Sequence, residues 1–426
     1  MGEPAVITVI GLDGSSLAPA DSAALAAATL VVGGRRHLAA APPPPGAAVV
    51  ELGPLDPAIE ALACHHGGAV VLASGDPGFF GILRVLRERG LEYAVRPAVS
   101  SVALAFARAG LPWDDAQVVS AHGRDPRLAV NVCRAHPKVA VLTGPGFGPA
   151  ELGAALAGWQ RRLVVAEHLG TPAERVTSCT TAQAASRNWD DPNVVIVLAG
   201  QPSASPVGWH WPPGGARGGG WALPEGDFRQ QDAVITKAEV RALALARLAP
   251  APGRLIWDVG SGTGSVGIEC ARFGAAVIAI ERDPRRLRLV RENARRHGVD
   301  VRVAEGEAPE ALSGLPDPDA AYVGGGGTAV VEAVAVRQPA RVVVALAAVD
   351  RVGPACLALE KAGYIVDGTL LQAARLSPLP GGVHRFEAIN PVFVLWANRA
   401  PGSAGSAGSA GAADAAGAAD AAGGSR

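Results

Sequence analysis

Cysteine is scarce in this chain, which has only five in 426 residues. No two of them have Cys-x-x-Cys spacing, and their odd number excludes a complete disulfide framework. The same spacing argues against a zinc cluster. His65 and His66 beside Cys64 have no further ligand at a suitable spacing, so a surface pair is the better interpretation. We therefore predict no metal and expect the reducing cytosol.

An excess of charge of either sign is missing as well. The chain has 38 basic and 39 acidic residues and a formal net charge of -1, which argues against binding nucleic acid through bulk charge. Its longest clean apolar runs, such as Val342–Val349, are far shorter than a membrane span. No basic segment precedes the first apolar stretch, and Asp13 interrupts it, so no signal peptide is expected. We predict a soluble cytoplasmic protein without a membrane or nucleic-acid partner.

Apolar residues are abundant, at 49% of the chain, so most of it must fold around hydrophobic cores. The length allows two or three domains. Residues 1–200 alternate short β-branched runs with Ala/Leu-rich segments such as Gly81–Arg89 and Ser101–Ala109, which predicts α/β architecture. The predicted strands are Val6–Ile10, Ala69–Leu72, Val139–Leu142, Leu163–Val165 and Val194–Leu198.

Composition divides the rest of the chain. Residues 201–226 are rich in Pro and Gly and lack periodicity, which predicts a linker. Trp209, Trp211 and Trp221 fall within it, and we expect them to pin it to a domain surface. From Pro401 the chain repeats Gly, Ser, Ala and Asp without a large apolar residue, so residues 398–426 are predicted to be a disordered tail.

Residues 227–397 form a second predicted α/β unit with the pattern of a doubly wound sheet. Its predicted helices are Thr236–Leu248, Val266–Phe273 and Pro284–His297. Its predicted strands are Leu255–Val259, Ala276–Ile280, Val301–Ala304, Ala320–Val323, Arg341–Leu346 and Val392–Trp396.

A glycine-rich turn, Gly260-Ser261-Gly262-Thr263-Gly264, joins the first strand of this unit to a helix. Glycines allow a sharp turn and a close approach of a ligand, and the helix N-terminus offers free N–H groups. Glu281 ends the next strand, where a carboxylate can bind both ribose hydroxyls of an adenosine. Three interpretations remain open: an S-adenosylmethionine (SAM) site, which the pattern favours, a dinucleotide site, and a turn without a ligand. The absence of a following Gly-Lys-Ser/Thr excludes a P-loop.

Comparable loops follow the strands of the first unit. Gly11–Gly14, Ser74–Gly81, Pro97–Ser101 and Leu142–Pro145 all lie at predicted carboxyl ends of strands. Open α/β sheets bind their ligands at that edge. Asp76 alone could be a helix cap, but the four loops together favour a ligand site.

These motifs carry a resemblance to two families. Residues 1–200 resemble the tetrapyrrole (class III) methyltransferases through Ser74–Pro77, Pro97–Ser101 and Glu167–Arg175. Residues 227–397 resemble the class I cobalamin-pathway methyltransferases that decarboxylate precorrin-6B, through Thr236–Arg241, the Gly260–Gly264 loop, Glu305–Leu312 and Ala388–Val392. The resemblance implies a two-subdomain class III fold followed by a Rossmann-like class I fold.

The resemblance also implies two SAM sites and a precorrin acceptor. Carbon 5 would be methylated by the first module. Carbon 15 would be methylated, and the ring C acetate decarboxylated, by the second, giving precorrin-8 in cobalamin biosynthesis. The residues implied for the first SAM are Gly75, Asp76, Pro77, Ser100, Ser101 and Leu169. Those implied for the second are Thr236, Gly260, Ser261, Gly262, Thr263, Gly264, Glu281, Glu307 and Ala308. Glu307 stands where the family usually has Asp.

No catalytic triad or carboxylate pair appears, and alignment of donor and acceptor accounts for methyl transfer without one. Weaker catalytic candidates are His384 and Arg385, which with Arg375 flank the loop Ser377–Gly382, and His122, near Arg124. A solvated surface loop is the alternative for the first group. We also expect a homo-oligomer. An RNA methyltransferase and an NAD(P)-dependent oxidoreductase remain alternative functions.

Overall fold

The computed structural model describes residues 6–53, 55–200, 220–230 and 235–399. Most of the predicted linker and the predicted tail from residue 400 therefore lie outside the described residues, as do Trp209 and Trp211.

Within these ranges the strands are β1 Val6–Leu12, β2 Leu30–Gly33, β3 Ala48–Glu51, β4 Gly68–Ser74, β5 Tyr93–Arg96, β6 Gln117–Ser120, β7 Lys138–Leu142, β8 Arg161–Glu167, β9 Arg175–Thr180, β10 Asn193–Ala199, β11 Leu255–Val259, β12 Ala276–Glu281, β13 Arg302–Glu305, β14 Ala320–Val323, β15 Arg341–Leu346, β16 Tyr364–Leu371, β17 Ala374–Pro378, β18 His384–Ala388 and β19 Val392–Arg399.

The α-helices of the same ranges are α1 Pro19–Ala26, α2 Arg35–Ala40, α3 Leu55–Cys64, α4 Leu83–Glu88, α5 Ser101–Ala109, α6 Pro126–Ala135, α7 Pro149–Ala155, α8 Thr181–Ala185, α9 Ala238–Leu248, α10 Ser265–Arg272, α11 Pro284–Arg296, α12 Thr328–Val336 and α13 Val352–Lys361. Short 3-10 turns are present at Glu225–Asp227, Glu310–Leu312 and Val349–Arg351.

The first domain contains two five-stranded sheets. The first sheet has the order β3-β2-β4-β1-β5, and all of its strand pairs are parallel. The second has the order β6-β7-β10-β8-β9. Because β10 is antiparallel to both β7 and β8, and β6 is parallel to β7, strands β6, β7 and β8 run in one direction. The carboxyl edges of the first sheet and of these three strands therefore carry the loops that the sequence singled out.

The second domain is built on a seven-stranded sheet with the order β13-β12-β11-β14-β15-β19-β16, in which β19 is antiparallel to its neighbours. Every residue of β11 and β12 is buried, because helices cover both faces of the sheet. Trp257 packs into the core on one face and Ile256 into the core on the other. The chain order reverses beside β11, which is where a doubly wound sheet opens a ligand crevice. The predicted α/β fold is confirmed.

The two domains contact each other through the amino ends of their strands. Arg161, which begins β8, forms an ion pair with Asp300, just before β13, at 2.5 Å. Asn131 of α6 donates to the carbonyl of Gly253, just before β11, at 3.0 Å and to Asp319, just before β14, at 3.2 Å. The carboxyl edges of both domains consequently lie away from this contact.

Two segments differ from the sequence expectation. Residues 220–226, assigned to the linker by composition, pack on the second domain: the backbone N–H groups of Ala222 and Leu223 donate to Glu269 of α10. Trp221, in contrast, is half exposed. The expected loop around Ser377–Gly382 is the turn of the antiparallel ribbon β17–β18. Among the described residues, no helix is long and apolar enough to cross a membrane.

Candidate active sites

The glycine turn after β11 folds as a tight cradle. Gly260, Gly262 and Gly264 have φ values of +70°, +59° and +79°, which favour glycine. A Cβ on Gly260 would lie 3.1 Å from the backbone nitrogen of Gly325, whereas a Cβ on Gly262 would meet nothing within 4 Å. Gly262 therefore faces open space at the carboxyl edge of the sheet.

Glu281 stabilises this cradle from the neighbouring strand. Its Oε2 accepts a hydrogen bond from the Gly262 N–H at 2.9 Å. Its Oε1 accepts from the backbone N–H groups of Arg282 and Asp283 at 3.0 and 3.1 Å. A carboxylate has about four acceptor positions, so one position on Oε2 is left for a ligand hydroxyl. Sequence reasoning located this residue but missed its role in holding the glycine turn.

Asp258 lies beneath the same turn and is buried. Its Oδ2 accepts from the Gly267 N–H at 2.9 Å, which ties β11 to the start of α10. Burial is the main cause that raises the pKa of this carboxyl to about 7, and the nearby Glu281 contributes, while hydrogen bonds from Gly267 and Ser261 oppose the shift. Asp258 is therefore largely protonated in mildly acidic solution.

Asp258 Oδ1, Ser261 Oγ and Thr263 Oγ1 are buried and form no hydrogen bond of ordinary geometry in the described structure, although Ser261 is close enough to Asp258 for a side-chain hydrogen bond that lowers the pKa of that carboxyl. Buried polar groups are normally paired, so Thr263 Oγ1 remains as the unpaired atom that a polar ligand would satisfy. Together with the open space at Gly262, this donor and acceptor set fits the polar groups of SAM.

The other residues implied for the second SAM are Thr236, Ala308 and Glu307, and they differ in burial and in their contacts. The Thr236 hydroxyl is hydrogen-bonded to Tyr322 of β14, and burial raises the pKa of that tyrosine to about 12. Ala308 is half-buried beside the core. Glu307 is exposed and forms an ion pair with Arg282 at 2.7 Å. Its carboxylate is therefore already engaged, which weakens the expectation that it contacts a ligand.

A segment before α9, residues 220–230, is fastened behind the cradle by groups that sequence reasoning missed. Glu269 accepts from Ala222 and Leu223, and it also forms an ion pair with Arg241. Asn293 of α11 donates to the carbonyl of Thr263 in the glycine turn at 2.9 Å. The same side chain exchanges two hydrogen bonds with the backbone of Arg229. The side-chain amide of Asn293 thus links residues 220–230 to the glycine turn.

The first domain has a cavity of about 540 Å³ at the carboxyl edge of its first sheet. Carboxylates of Asp13, Asp21 and Asp76 line it. Asp21 forms an ion pair with Arg96 at 3.0 Å, while Asp13 accepts hydrogen bonds from Ser15 and, at 3.3 Å, from the N–H of Val99. The hydrogen bonds from Ser15 are the largest cause that lowers the pKa of Asp13. The lowered pKa favours the ionised form of Asp13, so the cavity presents a negative charge that suits a cationic ligand.

The loops after β1 and β8 meet at the rim of this cavity. Gly14 has φ of +90°, and a Cβ there would lie 2.0 Å from the carbonyl oxygen of Gly170. Gly170 has φ of +77° and approaches the carbonyl of Asp13 equally closely. Since these are backbone contacts, the two subdomains can close here only with glycine at both positions.

Of the six residues implied for the first SAM, Asp76 alone lines the cavity, and the other five lie in or beside the neighbouring loops without lining it. Asp76 lines it, and its Oδ1 accepts from the Gly78 N–H at 2.8 Å, forming a turn rather than a helix cap. Gly75, at φ of +54°, packs its backbone against Ser100 and Ser101. Pro77 is buried next to Asp76. Leu169 packs against the core that includes Phe79.

Comparisons with known proteins give the family. The profile of the tetrapyrrole (corrin/porphyrin) methylases matches residues 10–185, and that of the precorrin methyltransferase domain matches residues 227–399. A precorrin-6Y C(5,15)-methyltransferase (decarboxylating) from a Sinorhizobium species is 38% identical over 291 residues, which cover 65% of this chain and 67% of that protein. The chain belongs to this methyltransferase family.

Further relatives have similar names. The precorrin-6Y C(5,15)-methyltransferase (decarboxylating) of Mycobacterium tuberculosis strain H37Rv is 35% identical over 65% of this chain and 68% of that protein. A probable cobalt-precorrin-6B C(15)-methyltransferase (decarboxylating) of Pyrobaculum calidifontis is 36% identical over 41% of this chain and 94% of that protein.

The catalytic candidates of this family member are not brought together. His384 and Arg385 are exposed on β18, where Arg385 lies 3.6 Å from Glu387. Arg375 is not free for substrate, because it forms ion pairs with Glu225 at 2.7 Å and Glu239 at 2.6 Å. It instead ties the ribbon to the segment before α9.

In the first domain of this methyltransferase, His122 and Arg124 lie in the loop after β6 and do not line the cavity. His122 is exposed beside Gly144, and the Arg124 guanidinium lies 5.9 Å from the ring centre of Phe80 in the loop after β4. Thr143 donates to Asn193 and does not line the cavity. His65 interacts with the hydroxyl of Thr29 at 2.8 Å. No cluster of potential metal ligands occurs within the described ranges.

Proposed function

We propose that this chain methylates precorrin-6Y at carbons 5 and 15 and decarboxylates the ring C acetate, using SAM at two separate sites. The product would be precorrin-8. The observation that carries the proposal is the presence, on one chain, of two glycine-lined crevices at the carboxyl edges of two different sheets. Family membership supports the reaction, and the names of the relatives supply the substrate and the carbon positions.

We assign the sulfonium donor to the first site, because the carboxylates of Asp13 and Asp76 in the cavity supply charge of the opposite sign. In the second, the turn Gly260–Gly264 and Glu281 present backbone N–H groups, hydroxyls and one free carboxylate position. Methyl transfer to carbon is a displacement whose rate depends mainly on alignment. Rigid backbone cradles of this kind supply alignment without a strong general base.

The decarboxylation is assigned to the second site. Loss of carbon dioxide leaves an electron pair that the conjugated macrocycle can accept, and a pocket that excludes water destabilises the leaving carboxylate. Within the described residues, the cradle of the second domain offers no catalytic carboxylate pair beyond the buried Asp258 and the engaged Glu281. We assign the role of electron sink to the substrate's own ring system, because its conjugation can delocalise the electron pair that carbon dioxide leaves behind.

The reaction is tested with purified full-length chain, precorrin-6Y and SAM, with added methyl groups and lost carbon dioxide counted by mass. Wild type should add two methyl groups and lose one carbon dioxide. Gly75→Val should remove one methylation alone, and Gly262→Arg should remove the other together with decarboxylation. Loss of both methylations in either folded variant would contradict separate sites, and cofactor analysis that found NAD(P) would favour an oxidoreductase.

We also propose that the chain assembles with a second copy of itself through the ribbon β17–β18. An isolated two-stranded ribbon is only marginally stable in water, yet its paired Leu376 and Phe386 are 62% and 74% exposed. Light scattering should give a mass above that of one chain, and Phe386→Glu should reduce it to a monomer. The free cysteines fit a cytoplasmic location, which fractionation of cells would check.

A further inference from the structure

Arg36 and His37 of α2 converge on the hydroxyl of Ser74 at the end of β4. Arg36 Nη2 donates to Ser74 Oγ at 2.6 Å, and His37 Nε2 lies 2.9 Å from the same oxygen. Arg36 Nε also donates to His37 Nε2 at 3.3 Å. His37 Nε2 has either one lone pair or one hydrogen for these two neighbours, and its Nδ1 is buried without a hydrogen-bond partner in the described structure. Burial is the main cause that lowers the pKa of His37, to about 4, and Arg36 contributes.

Arg36, His37 and Ser74 form a cluster in which the guanidinium of Arg36 has no carboxylate partner among the described residues. Neither Arg36 nor His37 forms an ion pair with a carboxylate among the described residues, whereas the adjacent Arg35 pairs with Glu51 at 3.1 Å. Burial lowers the pKa of the Arg36 guanidinium, and no neighbouring acid offsets that effect. The side chain nevertheless reaches solvent, so its unused N–H groups are accessible to an anion.

The cluster borders the first site. Ser74 immediately precedes Gly75, and β4 lies between β2, which leads into α2, and β1, which leads into the cavity loop. Adjacent strands are about 4.8 Å apart, so a flat ligand of several rings can span from the cavity to the cluster. The two ends of this span have opposite charges: carboxylates of Asp13 and Asp76 in the cavity, and the guanidinium of Arg36 outside it.

We propose that Arg36, held by Ser74 and His37, binds a carboxylate of the tetrapyrrole acceptor and so orients the macrocycle in the first site. The inference rests on the proposed function. The charge separation assigns the cationic donor to the cavity and the anionic acceptor to the cluster, because guanidinium groups form strong paired hydrogen bonds with carboxylates.

The test compares Arg36→Gln with the matched neighbour Arg35→Gln in the C-5 methylation of precorrin-6Y. A hydrogen bond to a charged group contributes enough that we expect the acceptor KM of Arg36→Gln to rise about 10- to 100-fold, with kcat nearly unchanged. Arg35→Gln should keep the wild-type KM. Arg36→Lys, which retains charge but not the planar fork, should show an intermediate KM. The SAM dissociation constant at the first site should be the same in all four proteins.

Failures of the two proposals are distinguishable. If wild type does not methylate carbon 5, the proposed function is wrong, whatever the variants do. If wild type is active and Arg36→Gln has the KM of Arg35→Gln, the cluster does not bind the acceptor. If Arg36→Gln instead weakens SAM binding, the cluster belongs to the donor and the inference is also overturned. Circular dichroism checks that each variant is folded, and Arg36→Lys supplies a second, milder comparison.

Discussion

Arg241 of α9 and Glu269 of α10 form an ion pair in which both side chains are completely buried. The guanidinium also donates to the carbonyls of Leu223 and Thr236, and it lies 4.9 Å from the ring centre of Phe228. Through this pair the segment before α9 is attached to the helix that begins at the glycine turn. The ion pair is therefore part of the support of the second site.

Removing one charge of this pair should be costly. Glu269→Gln leaves a buried guanidinium without its counter-ion, which typically destabilises a protein by about 3–5 kcal/mol. The matched control is Glu307→Gln, because the Glu307–Arg282 pair is exposed and worth less than about 1 kcal/mol. Urea denaturation of the full chain measures the free energy of unfolding. Equal losses in the two variants would show that the buried pair is not a structural support.

Gly14→Ala should disrupt the first site specifically. The new methyl group would sit against the Gly170 carbonyl, so the two loops would have to separate. Gly46 has a similar φ of +87° but nothing within 4 Å of a Cβ, so Gly46→Ala should cost only about 1 kcal/mol of backbone strain. We expect at least tenfold slower C-5 methylation in Gly14→Ala alone, measured by mass spectrometry. Unchanged activity would mean that the loops need not close.

The raised pKa of Asp258 makes the free energy of unfolding of the second domain depend on pH. This pKa is raised from 3.8 to about 7, so the folded state holds a proton that the unfolded state has released. This contribution to stability is complete below pH 3.8 and is lost as the pH rises toward 7, by at most about 1.4 kcal/mol per pH unit.

Asp258→Asn keeps an acceptor for Gly267 but cannot ionise. Relative to wild type, the variant should therefore gain stability as the pH rises from 4 to 8, measured by urea denaturation at each pH. A constant difference between the two proteins across this range would contradict a raised pKa.

Arg375→Gln should have the opposite pH dependence. The hydrogen bonds from Arg375 are the largest cause that lowers the pKa of Glu225 from 4.5 to about 2. A lowered carboxyl pKa adds stability above pH 4.5, and this contribution is lost as the pH falls toward 2. The variant should therefore be less stable than wild type at pH 7 and nearly equal to it near pH 2. Arg385→Gln, whose residue only approaches Glu387, is the control and should show little difference at either pH.

Binding stoichiometry tests the two-site proposal directly. Calorimetry with SAM should give two binding events per wild-type chain and one for Gly262→Arg, since an arginine there would fill the open space of the cradle. Gly314 has φ of +73° and the same free surroundings but lies outside the glycine turn, so Gly314→Arg should retain both events. A single event in wild type would contradict two donor sites.

Much of the fold was predictable because buried strands have continuous apolar sequences. Leu255–Val259, Ala320–Val323 and Arg341–Leu346 were predicted with the observed bounds, as was helix Ser101–Ala109. The ribbon β17–β18 was predicted as a loop. Each of its strands has only five residues, and the Pro/Gly-rich turn between them is typical of a loop.

The candidate sites were predictable to the extent that their motifs are local in sequence. The turn Gly260–Gly264 and Glu281 are identified by short spacing and strand ends. The ion pair Arg241–Glu269 and the contact between Gly14 and Gly170 join segments that are distant along the chain. No spacing rule connects such residues, so only the folded structure could reveal them. The placement of Arg375 against two acids, rather than against substrate, was hidden for the same reason.

The domains contact each other through the pairs Asn131–Asp319 and Arg161–Asp300. This contact bears on how the macrocycle would pass between the two proposed sites. This contact lies near the amino ends of the strands, whereas both candidate sites lie at the carboxyl ends. On the two-site proposal, an intermediate released from the first site would have to diffuse to the second, and joining both domains in one chain would keep the two activities in equal number.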